Sequence, residues 1–555
     1  MWYISPLFTQ SENGQLVNRQ TYRLHESLLQ LQIPSTTSFA EPKTQSPLLF
    51  GQPRVIEAWQ GLLSNGHNHL FLAGMPGLSP MAVVRALLSE FPQAHFGVDR
   101  DTSVYFMDRI ISRIALIGDE NQPGLLFQKS LLIIPVEYIL ERPAAYWPLK
   151  QVLECGGAQL GDNWHELKSQ VVILGSAGDY DNLNGFDAGF SDRFSLYAEC
   201  QPEWDIEDNT QIDSWLTAVN QVCQLTCGRS LSIDAAKMMA QYASRLVEHQ
   251  HKLSLCWEEL AKLFRLASPS DAPLTRQEIL ELQLRQQNMH NALEKSSHEA
   301  ILEQTVLVQT EGEAVGQING LTVVDYCGHS YGEPARITTT VHYGDGEVAD
   351  VERKSELGGN IHAKGMMILS ACLYRLFGRD APLHLNANIV FEQSYQTIDG
   401  DSASLAEYCG LISAIADAPI SQELAMTGAV DQFGNVQAIG GINQKIEGFF
   451  RVCASRGLTG KQGVILPKAN VRQLNLTQEV VDAVANGRFH LYQVTKVEHA
   501  LELATSIPMA DADEDNQYPK DSLYGLVQRR LLQLIGDDDM SLTLWQRVKH
   551  RFGLS

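Results

Sequence analysis

The sequence predicts an α/β N-terminal module with a helical lid, followed by an α+β domain. Three observations predict it. Between about residues 50 and 200, short apolar runs alternate with helical stretches, the pattern of a parallel sheet with helices on its faces. Helical periodicity takes over from about 205 to 270. After Thr310 the texture becomes glycine-rich, with strand-like runs whose alternate positions are polar.

Composition bounds the rest. A chain of 555 residues exceeds what one hydrophobic core supports, so three or four domains or subdomains are expected. Apolar residues at 44% and charged residues at 19% describe an ordinary globular protein. The net charge of −23, from 42 basic and 65 acidic residues, argues against a nucleic-acid partner, which needs a basic footprint. The nine cysteines are scattered apart from Cys223 and Cys227, and that pair has no partner motif for a metal. Free thiols in a reducing compartment are the expectation. The N-terminus lacks a basic region followed by an apolar run, so no signal peptide is expected. No window offers about 20 uninterrupted apolar residues, so no membrane span is expected either. Together these predict a cytoplasmic protein.

Taken in order, residues 1–45 are polar and read as an N-terminal arm. The α/β module spans 46–204, with strands predicted at His69–Ala73, Leu131–Ile134 and Val171–Leu174. The first strand runs into Gly74-Met75-Pro76-Gly77-Leu78-Ser79-Pro80-Met81 and then a helix. Strand, glycine turn and helix form the setting of a phosphate-binding P-loop. The register that matches Gly74 and Gly77 puts Pro80 where the lysine belongs and Met81 where the Mg²⁺-binding hydroxyl belongs. Proline offers neither charge nor an N–H. Leu131 to Ile134 likewise continues as Pro135-Val136-Glu137, without an acidic pair for Mg²⁺. A degenerate turn without ATP hydrolysis is the expectation. Val171–Ser176 and Phe186–Phe194 resemble the sensor strand and following segment of AAA+ modules. Arg193 there reads either as a remnant arginine finger or as a solvated arginine.

The helical lid is assigned to 205–272. A capping box, Thr275-x-x-Glu278, opens a single long connector helix within 273–309. The α+β domain spans 310–507. In it Leu383, Leu385, Ala387 and Ile389 alternate with polar residues as a half-buried strand aimed at a serine-bearing turn. An acidic linker and an amphipathic helix, with Trp545, Val548 and Phe552 on one face, fill 508–555.

The chemistry concentrates in the stretch 391–450. Asp399-Gly400-Asp401-Ser402-Ala403-Ser404 leads into an apolar helix, and Gly440-Gly441 opens a second helix carrying Lys445. A serine attacks a carbonyl only if a base takes its proton. A lysine can serve when burial brings its pKa down from about 10.4 by several units. Lys445 has Ile442 three residues before it and Phe449 four after, so its stem lies along an apolar stripe. Ser402 stands where backbone N–H groups are free to stabilise an oxyanion. Each residue also has a plainer reading: Lys445 snorkels to water, and Ser402 caps its helix. Asp399 and Asp401 lack the later ligands of a calcium loop, and no metal site is expected.

Several long motifs in order then carry a resemblance. They are Gly332-Glu333-Pro334, Glu356-Leu357-Gly358-Gly359-Asn360-Ile361-His362-Ala363-Lys364-Gly365, Phe391-Glu392-Gln393-Ser394-Tyr395, Asp399 to Ser404, Met426-Thr427-Gly428 and Gly440 to Phe450. From about Thr310 to Ala504 the chain resembles the proteolytic domain of the Lon (endopeptidase La) family of S16-type Ser–Lys proteases. The form is that of its B-type branch and of divergent bacterial Lon-like proteins. The resemblance implies that Ser402 is the nucleophile, Lys445 its base, Thr427 the residue orienting the amine and Asp399 an acidic neighbour. Glu392 and His362 fall in shared motifs without an assigned role. The resemblance also implies hydrolysis of polypeptide substrates through an acyl-enzyme, with no cofactor for that step. A homo-hexamer with its sites facing an inner chamber comes with it, and the α/β module becomes a degenerate AAA+-like one. A fully ATP-dependent protease and a non-proteolytic scaffold are the alternatives. The presence of both Ser402 and Lys445 weighs against the scaffold.

Overall fold

The apolar runs around Leu70, Leu131 and Val171 build one parallel sheet. A computed structural model describes residues 19–540, apart from 43–45, 65–66, 92–102, 109–111, 207–208, 345, 355–356, 379–382, 395–397 and 515. The chain divides into two units, one of residues 33–247 with 251–286, the other of residues up to 32, 248–250 and 287 onward.

In the first unit, β1 (Leu70–Ala73), β2 (Val104–Phe106), β3 (Leu131–Pro135), β4 (Gln170–Gly175) and β5 (Leu196–Glu199) pair in the order β2-β3-β4-β1-β5, all parallel. β1 and β3 are buried at every position, which continuous apolar runs permit when both faces of a sheet are covered. Helix α1 (Pro80–Glu90) follows β1 across the glycine turn. A mainly helical part follows the sheet: α2 (Asn209–Cys227), α3 (Ile233–Leu246) and α4 (Trp257–Phe264), with a two-stranded ribbon of Glu203–Asp205 and Lys252–Ser254 beside them. Trp215 and Trp257 stack within it at 5.8 Å. Cys223 and Cys227, one turn apart on α2, hold their sulfurs 3.7 Å apart as free thiols.

Arg193 is not solvated. It pairs with the buried Asp187 and, at 2.6 Å, with Glu154, and it donates to Tyr146 Oη at 3.3 Å. Asp187 also accepts from Lys150 at 2.9 Å. A carboxylate hidden from water needs such partners, and this one recruits the arginine.

The second unit is assembled from three pieces of sequence. Its strands are β6 (Gln317–Tyr326), β7 (His329–Tyr343), β8 (Val348–Asp350), β9 (Leu385–Phe391), β10 (Leu424–Met426), β11 (Gly463–Pro467) and β12 (His490–Val494). They form a mixed sheet in the order β8-β9-β7-β6-β10-β11-β12. β9 alternates buried and half-buried residues along its whole length, as its sequence predicts. Both faces of the sheet are covered. Met426 and Ile465 enter one apolar cluster, while their neighbours Ala425, Val464 and Leu466 enter another. The first cluster holds α7 (Asn360–Phe377) and α8 (Ser404–Ala416); the second holds α9 (Ile442–Arg456).

Three expected boundaries move. Leu24, Leu29 and Leu31 of the expected arm are buried, and Leu24 and Leu29 join the cluster around α9. Leu24 N donates to Leu491 O and Gln493 N to Tyr22 O, both at 2.8 Å, so this strap covers the free edge of β12. A few isolated leucines among polar residues carry no periodicity to announce such a role; residues 1–18 lie outside the described residues. The connector is two helices, α5 (Arg276–Asn288) and α6 (Ala292–Leu302), broken at Met289–Asn291, where asparagines favour caps over helix interior. The Thr275–Glu278 capping box does form, with reciprocal bonds of 2.9 and 3.2 Å. Finally, the compact unit and its core run on past 507. Helix α10 (Leu523–Met540) places Leu523, Tyr524, Val527 and Leu531 in the core that holds α8. The segment with Trp545, Val548 and Phe552 lies outside the described residues.

Candidate active site

The glycine pair acts first. Gly441, at φ +65°, turns the chain through the left-handed region into α9 and leaves its start without a side-chain cap. The helix then lies directly on β7. A Cβ on Gly332 would stand 2.0 Å from Gln444 O, and one on Gly448 would stand 2.0 Å from Gly332 O. Backbone-to-backbone packing of this kind seals the helix face that carries Lys445. Ile442, Ile446 and Phe449 around it have no solvent exposure, and Lys445 itself has 3%.

Lys445 Nζ donates to Ser402 Oγ at 2.7 Å and to Thr427 Oγ1 at 3.2 Å. Burial pushes its pKa down to about 8, with the charge of Asp401 pulling the other way. Its place in the first turn of α9 adds the positive end of a helix dipole, which also disfavours an ammonium. The amine is therefore set to be neutral near the pH where a general base is useful.

The serine arrives from the opposite side of the sheet. Gly400, at φ +112°, shapes the turn before α8. Ser402 does not cap that helix: Ala403 occupies the cap position and no side chain bonds there. The structural hydroxyl is that of Ser404, which donates to Asp401 O at 2.8 Å and accepts from Val430 N at 3.0 Å. Ser402 is left facing the amine. Thr427, with no exposure, follows the end of β10 and bridges the two helices, since its hydroxyl also donates to Ser402 O at 3.1 Å. Gly428 N donates to the same carbonyl at 2.8 Å, fixing the turn against the strand end.

The acidic neighbours divide differently from expectation. Asp399 Oδ1 accepts from the N–H groups of Ile361 at 3.1 Å and His362 at 3.4 Å, at the uncapped start of α7. Its carboxylate is committed to a helix end, the usual occupation of an aspartate there. Asp401, two residues on, is the one whose charge reaches Lys445. Both lie in one short motif, so the sequence held no signal to separate them. Glu392 accepts from Thr338 Oγ1 at 2.8 Å, and His362 lies buried 3.9 Å from Glu407. Among the described residues no group of three His, Cys, Asp or Glu side chains could hold a metal ion.

The turn after β1 is built in another way. Gly74 N donates to Gly175 O at 2.7 Å, and Leu78 N to Met75 O at 3.0 Å. Pro80 opens α1, and a Cβ on Gly74 would stand 2.4 Å from its ring. Gly77 O accepts from Glu258 N at 3.2 Å, so α4 closes on the turn. Gly74 N and Leu78 N are thus spent within the fold, and Pro80 has no N–H to offer a phosphate.

Comparison with known proteins places this domain in a family. Residues 307–506 match the model of the Lon protease (S16) C-terminal proteolytic domain. The Lon protease homolog of Escherichia coli K12 is 38% identical over 403 residues, covering 70% of this chain and 69% of that one. The chain belongs to the Lon protease family. The Lon protease homolog of Haemophilus influenzae is 37% identical over 74% of this chain and 70% of its own. The archaeal Lon protease of Archaeoglobus fulgidus is 29% identical over 47% of this chain and 40% of its own. The Lon match begins within the linker after α6 and stops before α10, so the strap and α10 lie outside the matched residues.

Proposed function

We propose that this Lon-family chain is a serine endopeptidase acting on unfolded or loosely structured proteins through a Ser402–Lys445 dyad. The observation that carries the reading is the buried amine 2.7 Å from the serine hydroxyl. Neutral Lys445 takes the Ser402 proton as Oγ attacks the scissile carbonyl. Ser404 and Leu405 donate their N–H groups to Asp401 O and Gly428 O, so the amides of Ser402 and Ala403 are the donors left for the oxyanion. The ammonium then protonates the leaving amine, giving an acyl-enzyme, and the amine next activates water to release it. Thr427 holds the amine on line.

The first unit fits a retired AAA+-like module: its β2-β3-β4-β1-β5 order and following helices support the fold, and its closed turn argues against ATP-driven work. A homo-hexamer with an internal chamber, acting in the cytoplasm, completes the proposal. No helix among the described residues is long and apolar enough to cross a membrane. The test is cleavage of casein by wild type and Ser402→Ala, with and without ATP and Mg²⁺. Wild-type cutting by Ser402→Ala removes the dyad, and saturable stimulation by nucleotide removes the retired module.

A further inference from the structure

The start of α9 is anchored by one buried amide. Asn443, with no exposure, donates from Nδ2 to Gln473 O at 3.0 Å and accepts at Oδ1 from Asn475 N at 2.7 Å. It grips the backbone on both sides of Leu474 as a neighbouring strand would. The carbonyl of Leu474 goes elsewhere. Gln250 Nε2 donates to it at 2.7 Å, donates to Leu28 O at 2.7 Å and reaches Val471 O at 3.3 Å. Gln250 N donates to Arg472 O at 2.8 Å. The strap reinforces the same segment: Leu31 N donates to Asn475 Oδ1 at 3.1 Å and Leu476 N to Leu29 O at 2.9 Å. Gln250 belongs to the isolated piece 248–250 of this unit, and its side chain ties together the unit's other two pieces.

We propose that Gln250 is a positioning residue for Lys445, acting through the Leu474 peptide and Asn443 to fix where α9 begins. The proposal rests on the dyad reading. Three carbonyl oxygens converge on one side-chain donor; Val471 O also accepts from Leu474 N at 3.3 Å, but without Gln250 the oxygens of Leu28 and Leu474 lose their 2.7 Å bonds. The segment 471–474 then loosens, and Asn443, two residues before Lys445, loses its fixed anchor. Proton transfer between Lys445 and Ser402 needs hydrogen-bond reach, so a small drift of the helix start is costly. The groups facing the amine are Asp401, Ser402 and Thr427; Glu447, on the same helix, accepts from Thr477 N at 2.9 Å. A drifting amine also meets more water, which favours its charged form.

Gln250→Met, similar in size but without donors, tests this in the full chain. Expected are a fall in kcat of roughly 3- to 10-fold with KM unchanged, and an upward move of the pH midpoint of kcat by about half a unit. Gln250→Lys, which supplies donors to the three carbonyls, restores both. A Gln250→Met enzyme with wild-type kcat and midpoint overturns the proposal. So does a lower kcat with an unmoved midpoint, because simple loss of folded enzyme scales activity at every pH alike. Ser402→Ala is assayed beside it. If that variant cuts, the dyad itself has failed; if it is dead and Gln250→Met is unchanged, only the positioning claim has.

Discussion

Two strand–turn–helix units invite comparison, the turn between β1 and α1 and the turn between β9 and α8. Each carries glycine, serine and the start of a helix. In the first, Ser79 caps α1, accepting from Ala82 N at 3.4 Å, and Gly74, Gly77 and Leu78 are bonded into the fold. In the second, capping and turn closure fall to Ser404 and Asp399, and Ser402 is left over for chemistry. The difference is in the accounting of donors and acceptors rather than in the shape. A turn whose serine caps its own helix and whose glycines are bonded into the fold is a structural part. A turn with one hydroxyl held against a buried amine is a site.

Breaking the second turn gives the largest effect. Ser402→Ala and Lys445→Met each lower casein cleavage on the order of 10⁴-fold or more, and the double variant is no worse than either single one, because the two groups act as a unit. A double variant clearly slower than both singles separates the residues and breaks the comparison.

The pH profile follows. With Lys445 titrating at about 8, kcat/KM rises tenfold per unit below that value and levels off above it, so at pH 6 it lies about 100-fold under the plateau. A profile flat from pH 6 to 9 removes lysine as the base.

Stability gives a smaller effect of opposite sign. Lys445 has its folded pKa depressed from 10.5 to about 8, so folding expels its proton between these values. Below pH 8 the fold carries the full penalty, about 3 kcal/mol, and above pH 10.5 none. Lys445→Met therefore raises the urea midpoint of this unit at pH 7, and the gain shrinks as pH climbs from 8 to 10.5. A destabilised variant at pH 7 means the lysine is not held against its charge.

The smallest expected effect belongs to the first turn. Millimolar ATP with Mg²⁺ shifts the melting temperature by less than about 1 °C, since a ligand stabilises only by binding the folded state. A shift of several degrees reopens that turn as a phosphate site.

Much of this was legible in the residues. The strands around Leu70, Leu131 and Val171, the alternation of β9 and the Thr275 capping box all follow from local pattern. Proline at position 80 and the apolar stripe around Lys445 pointed the same way. What escaped were features with no period. The strap's three leucines sit among polar residues, and the acidic roles of Asp399 and Asp401 are indistinguishable two positions apart. Arg193 looked solvated because its partner Asp187 becomes buried only when Tyr146 and Lys150 close around it.

Sequence alone set the chemical inventory: one serine in a tight turn, one lysine among apolar neighbours, and a glycine turn stripped of its lysine. It could set these because each depends on residues within a turn or two along the chain. Only the tertiary structure decided that the two groups meet. They start helices on opposite faces of one sheet, and the end of β10 brings them together, a matter of long-range strand order that no local pattern encodes. The amine's lowered pKa has the same origin, because it takes the backbone of β7, more than a hundred residues earlier, to shut out the water.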